Sequence, residues 1–222
     1  MRPNISPEIF KAYDIRGIVG RTLTAPVVEQ IGQAIGSEAR GRGRAAVVIG
    51  RDGRHSGPEL SAALAAGLQS SGVDVIDVGQ VATPMLYFAA HHLDTLSGVA
   101  VTGSHNPPEY NGLKIMVDGE TLAGAAIQAL RTRIELGKLA RGAGRIRAQS
   151  IREDYLRRIV SDIKLARPMR LVVDCGNGVA GATAPELYRR LGCEVAELFC
   201  ENLRRWRAGE PLQNLVDPER SY

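Results

Sequence analysis

Thr102-Gly103-Ser104-His105-Asn106-Pro107-Pro108-Glu109-Tyr110-Asn111-Gly112-Leu113-Lys114 is the stretch from which the chain is best read. It follows the apolar run Gly98-Val-Ala-Val101 and leads into Leu113-Lys-Ile-Met-Val117, and both runs read as buried strands. Between them, glycine, proline and asparagine break any regular pairing and predict an irregular loop. Such a loop lifts the Ser104 hydroxyl out at the end of a strand, beside the His105 imidazole, the Asn106 and Asn111 amides and the Lys114 amine. A rigid loop with a nucleophile, titratable groups and a cation suits phosphoryl or acyl transfer to serine. The same residue types also build plain turns, so composition alone leaves both readings open.

The rest of the composition limits the function classes. A chain of 222 residues holds one large or two small cores, and 44% apolar with 23% charged residues is ordinary for a globular protein. No run approaches the length of a membrane span, and the first residues lack an apolar signal core, so a cytoplasmic protein without a membrane partner is expected. Three cysteines without metal-site spacing agree with a reducing compartment. The net charge of +4 suits an anionic small substrate. Basic residues are scattered and lack interleaved aromatics, so no nucleic-acid partner is expected. Only four of the 28 basic residues are lysines, and one of them, Lys114, closes the serine loop. That choice hints at a titratable amine there.

Taken in order, residues 45–50 form an apolar strand, 51–57 a loop, and Ser56 with Glu59 a capping box for a helix ended by Gly72. Residues 73–78 alternate as a strand, a short helix follows Pro84, and 122–136 read as a further helix. This alternation predicts an α/β domain, a mixed but mainly parallel sheet with helices on both faces, over residues 1–137. Ligands of such sheets sit beyond the carboxyl ends of strands, where 51–57 and the serine loop both lie. The glycine-bearing segment 138–150 is expected as a linker. Residues 151–201 restart the strand–helix–strand plan as a partial second domain of the same type, with 193–199 as its second strand, and 202–222 form a divergent, solvated tail.

Thr-Gly-Ser104-His-Asn-Pro followed by Asn-Gly-Leu-Lys114 resembles the phosphoserine loop of the α-D-phosphohexomutase family, nearest to its bacterial phosphomannomutase/phosphoglucomutase members. Phe10-Lys-Ala-Tyr13-Asp-Ile-Arg16-Gly17, Arg51-Asp-Gly-Arg54, Ala82-Thr-Pro84 and the run from Val172 to Gly181 extend the likeness over residues of about 8–200, the N-terminal part of that family. The resemblance implies an isomerase of the intramolecular phosphotransferase kind. It would interconvert hexose 1-phosphate and 6-phosphate, of mannose or glucose, through a phosphoserine enzyme and a bound bisphosphate. It implies Ser104 as phosphoryl donor and acceptor and as one Mg²⁺ ligand, with His105 and Lys114 in catalysis and Tyr13, Arg16 and Asn106 at the substrate. Hexose 1,6-bisphosphate is implied as activator. The family's Asp-x-Asp-x-Asp-Arg metal loop has no counterpart in the 222 residues, so most Mg²⁺ ligands are expected from elsewhere. On that basis the chain reads as a truncated or frameshifted frame or a fragment, with the C-terminal domains as its partner and little or no turnover alone.

Two rivals come from the residues themselves. Gly176-Asn177-Gly178-Val179-Ala180-Gly181 matches G-x-G-x-x-G between a strand and a helix, with Glu197 or Glu201 as the ribose acid, and would suit an NAD-dependent oxidoreductase. A serine hydrolase would need G-x-S-x-G, which the serine loop does not match, and adjacency makes His105 a poor base for Ser104. Arg54 and His55 read either as solvated loop residues or as part of the cleft lining, and a non-catalytic fragment or binding module is the remaining alternative.

Overall fold

The computed structural model describes residues 5–176 and 178–211, and of the side chains of 197–201 nothing is described. The chain divides into two compact units, with the division between Tyr155 and Leu156.

The first unit is built on strands β1 (Ile15–Ile18), β2 (Ala46–Arg51), β3 (Asp74–Gln80), β4 (Gly98–Val101), β5 (Tyr110–Val117), β6 (Glu120–Thr121) and β7 (Ile146–Ala148). They form one sheet in the order β1-β5-β4-β2-β3-β7, with β6 attached to β5. The steps β4-β2, β2-β3 and β3-β7 are parallel, and β1 and β6 run antiparallel to β5, as does β4. This is the mixed, mainly parallel sheet that the alternation predicts.

Strand pleating decides which helices cover which face. On β2, Val47 and Ile49 point into one cluster, together with apolar residues of α1 (Ala25–Gly41), α2 (Gly57–Ser70) and α4 (Ala125–Glu135). Val48 points the other way, into a second cluster with Met85, Leu86, Ala89 and Ala90 of α3 (Thr83–His92). Both faces are thus buried, which is why β2 and β4 carry unbroken apolar runs rather than alternation.

The chain order then places the loops. From β2 it passes through α2 to β3, then through α3 on the opposite face back across β2 to β4. β2 and β4 end side by side, with Arg51 opposite Val101, and the Asp52 amide donates to Val101 O at 3.0 Å. The loops 52–56 and 102–109 therefore leave the sheet as neighbours.

Three expectations are corrected here. Residues 138–150 carry β7, and their glycines mark close approach, not flexibility: a Cβ on Gly144 would stand 1.8 Å from Val73 O. Ser56 and Glu59 form no capping box, because Ser56 is helical (φ −74°, ψ −12°) and its hydroxyl accepts from Asn111 Nδ2 at 2.9 Å. Residues 198 and 199 leave the expected strand and open helix α7 (Leu198–Ala208).

The second unit takes up α5 (Arg152–Asp162) from Leu156 onward. Its strands β8 (Arg170–Val173) and β9 (Glu194–Glu197) pair in parallel, joined through a 3-10 turn at Val179–Ala182 and helix α6 (Ala184–Arg190). α7 takes in the first part of the expected tail, and 212–222 lie outside the described residues. Val172 and Trp206 are 62% and 69% exposed. Among the described residues no helix is long and apolar enough to cross a membrane.

Two packing features lend themselves to measurement. α1 and α2 cross where Gly32 and Gly67 touch, and a Cβ on Gly67 would stand 1.9 Å from Glu29 O. A backbone carbonyl cannot swing aside, so Gly67→Ala should lower stability by roughly 2–3 kcal/mol in urea unfolding. An unchanged midpoint would place the crossing elsewhere in solution.

At the other end of α1, Glu38 accepts from Arg42 Nε at 2.8 Å and from Arg133 of α4 at 2.7 Å. Burial pushes its pKa up, but these two arginines outweigh burial and hold it below the ordinary value. A carboxyl with a depressed folded pKa stabilises above its unfolded value of about 4.3, and that stabilisation fades as pH falls through the folded value. Glu38→Gln should therefore lose about 1 kcal/mol at neutral pH, and the gap should close in acid. Parallel urea midpoints of the two proteins at every pH would refute the link.

Candidate active site

Ser104 stands on a tight turn just past the carboxyl end of β4. Its φ is +52°, a left-handed conformation that L-residues seldom adopt, and it is exposed. Thr102 Oγ1 accepts its amide at 3.0 Å. The His105 ring turns back so that Nδ1 lies 3.3 Å from Ser104 Oγ. Adjacency in sequence does not keep this imidazole away, contrary to expectation, because the positive φ folds the two side chains together.

Asn106 works inside the loop. Its Nδ2 donates to Gly103 O at 2.7 Å and its Oδ1 accepts from Arg16 Nη1 at 3.1 Å. Arg16, on β1, is also paired with Asp14 at 2.5 Å. Arg16 and Asn106 are thus brought together across 90 residues of chain. Asn111 is fully buried at the start of β5 and binds Ser56. Lys114 lies opposite Ala100, one pair inside the carboxyl end of β4, and its side chain makes no hydrogen bond or ion pair among the described residues. Tyr13 is 80% exposed in the turn before β1 and likewise makes no side-chain bond among the described residues.

Arg54 is the residue that sequence reading undervalued. Its side chain is only 17% exposed. Its Nη1 donates to Pro107 O at 2.7 Å and Tyr110 O at 3.0 Å, and its Nη2 to Ser104 O at 3.1 Å and Asn106 O at 2.5 Å. Asp52 completes the tie: Oδ2 accepts the Gly103 amide and Oδ1 the Arg54 amide, each at 3.0 Å. A Cβ on Gly103 would come within 2.2 Å of Arg54 Nε, so glycine is required there. Arg51-Asp-Gly-Arg54 at the end of the strand beside β4 was the available signal.

Among the described residues, the donors near Ser104 do not fit a divalent cation. Ser104 offers one oxygen, the nearby Asp52 and Asp14 carboxylates are tied to arginines, and no group of three His, Cys, Asp or Glu side chains is gathered among the described residues.

The G-x-G-x-x-G segment also differs from a dinucleotide site. Gly181 lies in the 3-10 turn, α6 begins only at Ala184, and a Cβ on Gly181 would meet nothing closer than 3.6 Å. The close helix–strand packing that requires the third glycine of such a fingerprint is not present. Asn177 and the side chains of Glu197 and Glu201 lie outside the described residues.

The fold and its loop define an α/β/α domain that presents a serine from a strand-end turn. Residues 7–141 match the family model described as phosphoglucomutase/phosphomannomutase, alpha/beta/alpha domain I, and the chain belongs to that family. It is 56% identical to the phosphomannomutase/phosphoglucomutase of Pseudomonas aeruginosa over 199 residues, 90% of this chain and 43% of the relative. It is 52% identical to a phosphoglucomutase of Neisseria meningitidis over 89% of this chain and 44% of the relative. The crystal structure of a phosphoglucomutase/phosphomannomutase family protein from Burkholderia thailandensis superposes with a TM-score of 0.83 at 52% identity, covering 88% of this chain and 44% of that one. The chain thus spans less than half the length of the relatives it matches.

The left-handed turn at Ser104 has a measurable consequence. Ser104→Gly and Ser104→Ala both remove the hydroxyl, but only glycine relieves the backbone, so the glycine variant should be more stable by about 1 kcal/mol. Equal unfolding midpoints would mean that residue 104 is not held at positive φ in solution.

Proposed function

We propose that Ser104 carries a phosphoryl group in the interconversion of hexose 1-phosphates and 6-phosphates, those of mannose or glucose, within a cytoplasmic mutase. The observation that bears most on this reading is the exposed Ser104 hydroxyl on a fixed strand-end turn, in a segment that falls inside the family match. The names of the relatives support the same reaction class.

In this reading a bound hexose 1,6-bisphosphate, the activator, gives up one phosphoryl group. The Ser104 Oγ–P bond forms as the P–O bond to a sugar oxygen breaks, and that oxygen takes up the proton the serine releases. His105 Nδ1, 3.3 Å from Oγ, is placed to hold that proton in transit. Lys114 acts as acid or charge stabiliser. Tyr13, Arg16 and Asn106 serve substrate binding, Arg16 by its guanidinium and Asn106 by keeping that guanidinium against the loop. Transfer of this kind depends on positioning and on neutralising spread charge, which suits a loop set between arginines. The parts of the relatives that lie beyond this chain's span are its partners in turnover.

The test is direct. Incubation of the chain with glucose 1,6-bisphosphate should add the mass of one phosphoryl group, located on Ser104 by fragmentation and absent from Ser104→Ala. Failure to label Ser104 at any bisphosphate concentration would sink the proposal.

A further inference from the structure

We infer that Arg54 is a positioning residue for transfer at Ser104, holding the serine in its left-handed conformation from the neighbouring strand. The reaction in question is the one proposed above, so the inference rests on that reading for its chemistry; its residue comes from geometry alone.

The loop between β4 and β5 has little of its own to fix it. Pro107 and Pro108 have no N–H to donate, and the backbone bonds within the loop are Asn106 N to Gly103 O at 3.0 Å and Tyr110 N to Pro107 O at 3.0 Å. The carbonyls of Ser104, Asn106, Pro107 and Tyr110 instead converge on one guanidinium. The Ser104 carbonyl is the informative one. It belongs to the residue at φ +52°, and rotating Ser104 into an ordinary conformation would re-aim the peptide that carries this oxygen. Arg54 thus sets the rotation of the Ser104 backbone, and with it the direction of Oγ. It makes no bond to Oγ itself, so it acts through the loop.

The fork matters more than the charge. A guanidinium has five N–H donors in a fixed plane, and Arg54 uses both terminal nitrogens on two carbonyls each. Lysine offers a single point of charge and cannot span the same four acceptors. Asp52 fixes the base of the fork, standing 3.5 Å from Nε while it accepts the Gly103 amide. Gly103 leaves the space in which the guanidinium lies.

The experiment compares Arg54→Lys with the unaltered chain in three readouts. These are the rate of Ser104 phosphorylation by glucose 1,6-bisphosphate, resolved into maximal rate and half-saturating concentration; thermal unfolding; and amide exchange. The maximal rate should fall about 100-fold, as displacement of a reacting atom by about 1 Å produces. The half-saturating concentration should stay within about two-fold, since Arg54 does not reach the ligand, and unfolding should shift by only a few degrees. Exchange should accelerate in residues 103–110 and not in β4 or β5. An unchanged maximal rate, or a loss matched by the unfolded fraction, would overturn the inference. If the unaltered chain is not phosphorylated, the mutase reading fails, and exchange then decides alone. Loss of protection confined to 103–110 supports the Arg54 tie, and undisturbed protection overturns it.

Discussion

The serine loop depends on one half-buried cation. A guanidinium that is 17% exposed and bonded to four carbonyls is a demanding arrangement, because the donors must be satisfied once water is removed. Hydrogen bonds to charged groups contribute about 1.5–3 kcal/mol each, and leaving one such partner buried and unpaired is worse than never having it. The arrangement holds only while Asp52 accepts from both loops and Gly103 lacks a side chain. Beside the loop's own bonds from Thr102 and Asn106, much of the order at Ser104 is therefore imported from the loop that follows β2.

That import is possible because of the sheet's winding. β2 lies between β3 and β4, and α2 and α3 cover opposite faces, so the chain reverses its direction across the sheet at this point. Neighbouring parallel strands that end together leave their loops side by side, and a crevice there is the usual ligand position in open α/β sheets. β1 adds the third contribution from the far side of β5, bringing Arg16 against Asn106. Three segments remote in sequence meet at one serine because one sheet carries all of them.

Much of this was legible in the residues. Apolar runs marked β2, β4 and most of β5, the glycine at 72 marked the end of α2, and the Gly/Pro/Asn string marked the loop. What escaped reading was any feature whose cause is a distant partner. Gly142 and Gly144 look like linker punctuation in one dimension, but they are small because backbone passes against Val73 and Gly72. Ser56 carries a capping signature, yet the buried Asn111 amide, 55 residues away, claims its hydroxyl. Arg54 looks solvated from its neighbours in the chain, and its acceptors lie about 50 residues on. Local propensity sees the element and misses the contact that overrides it. For the same reason the positive φ of Ser104 has no signal of its own, since one of the groups its carbonyl meets is Arg54, 50 residues back in the chain.

The second unit leaves a spectroscopic asymmetry. The chain has a single tryptophan, Trp206, which is exposed on α7, whereas the sheet and the serine loop lie in the first unit. Intrinsic tryptophan emission therefore watches the wrong part of the molecule. The indole is already in water before unfolding, so a melt followed at that wavelength would look nearly featureless even as the sheet came apart. Circular dichroism would follow the helices on both faces of the sheet, and the two traces would disagree without any intermediate being present.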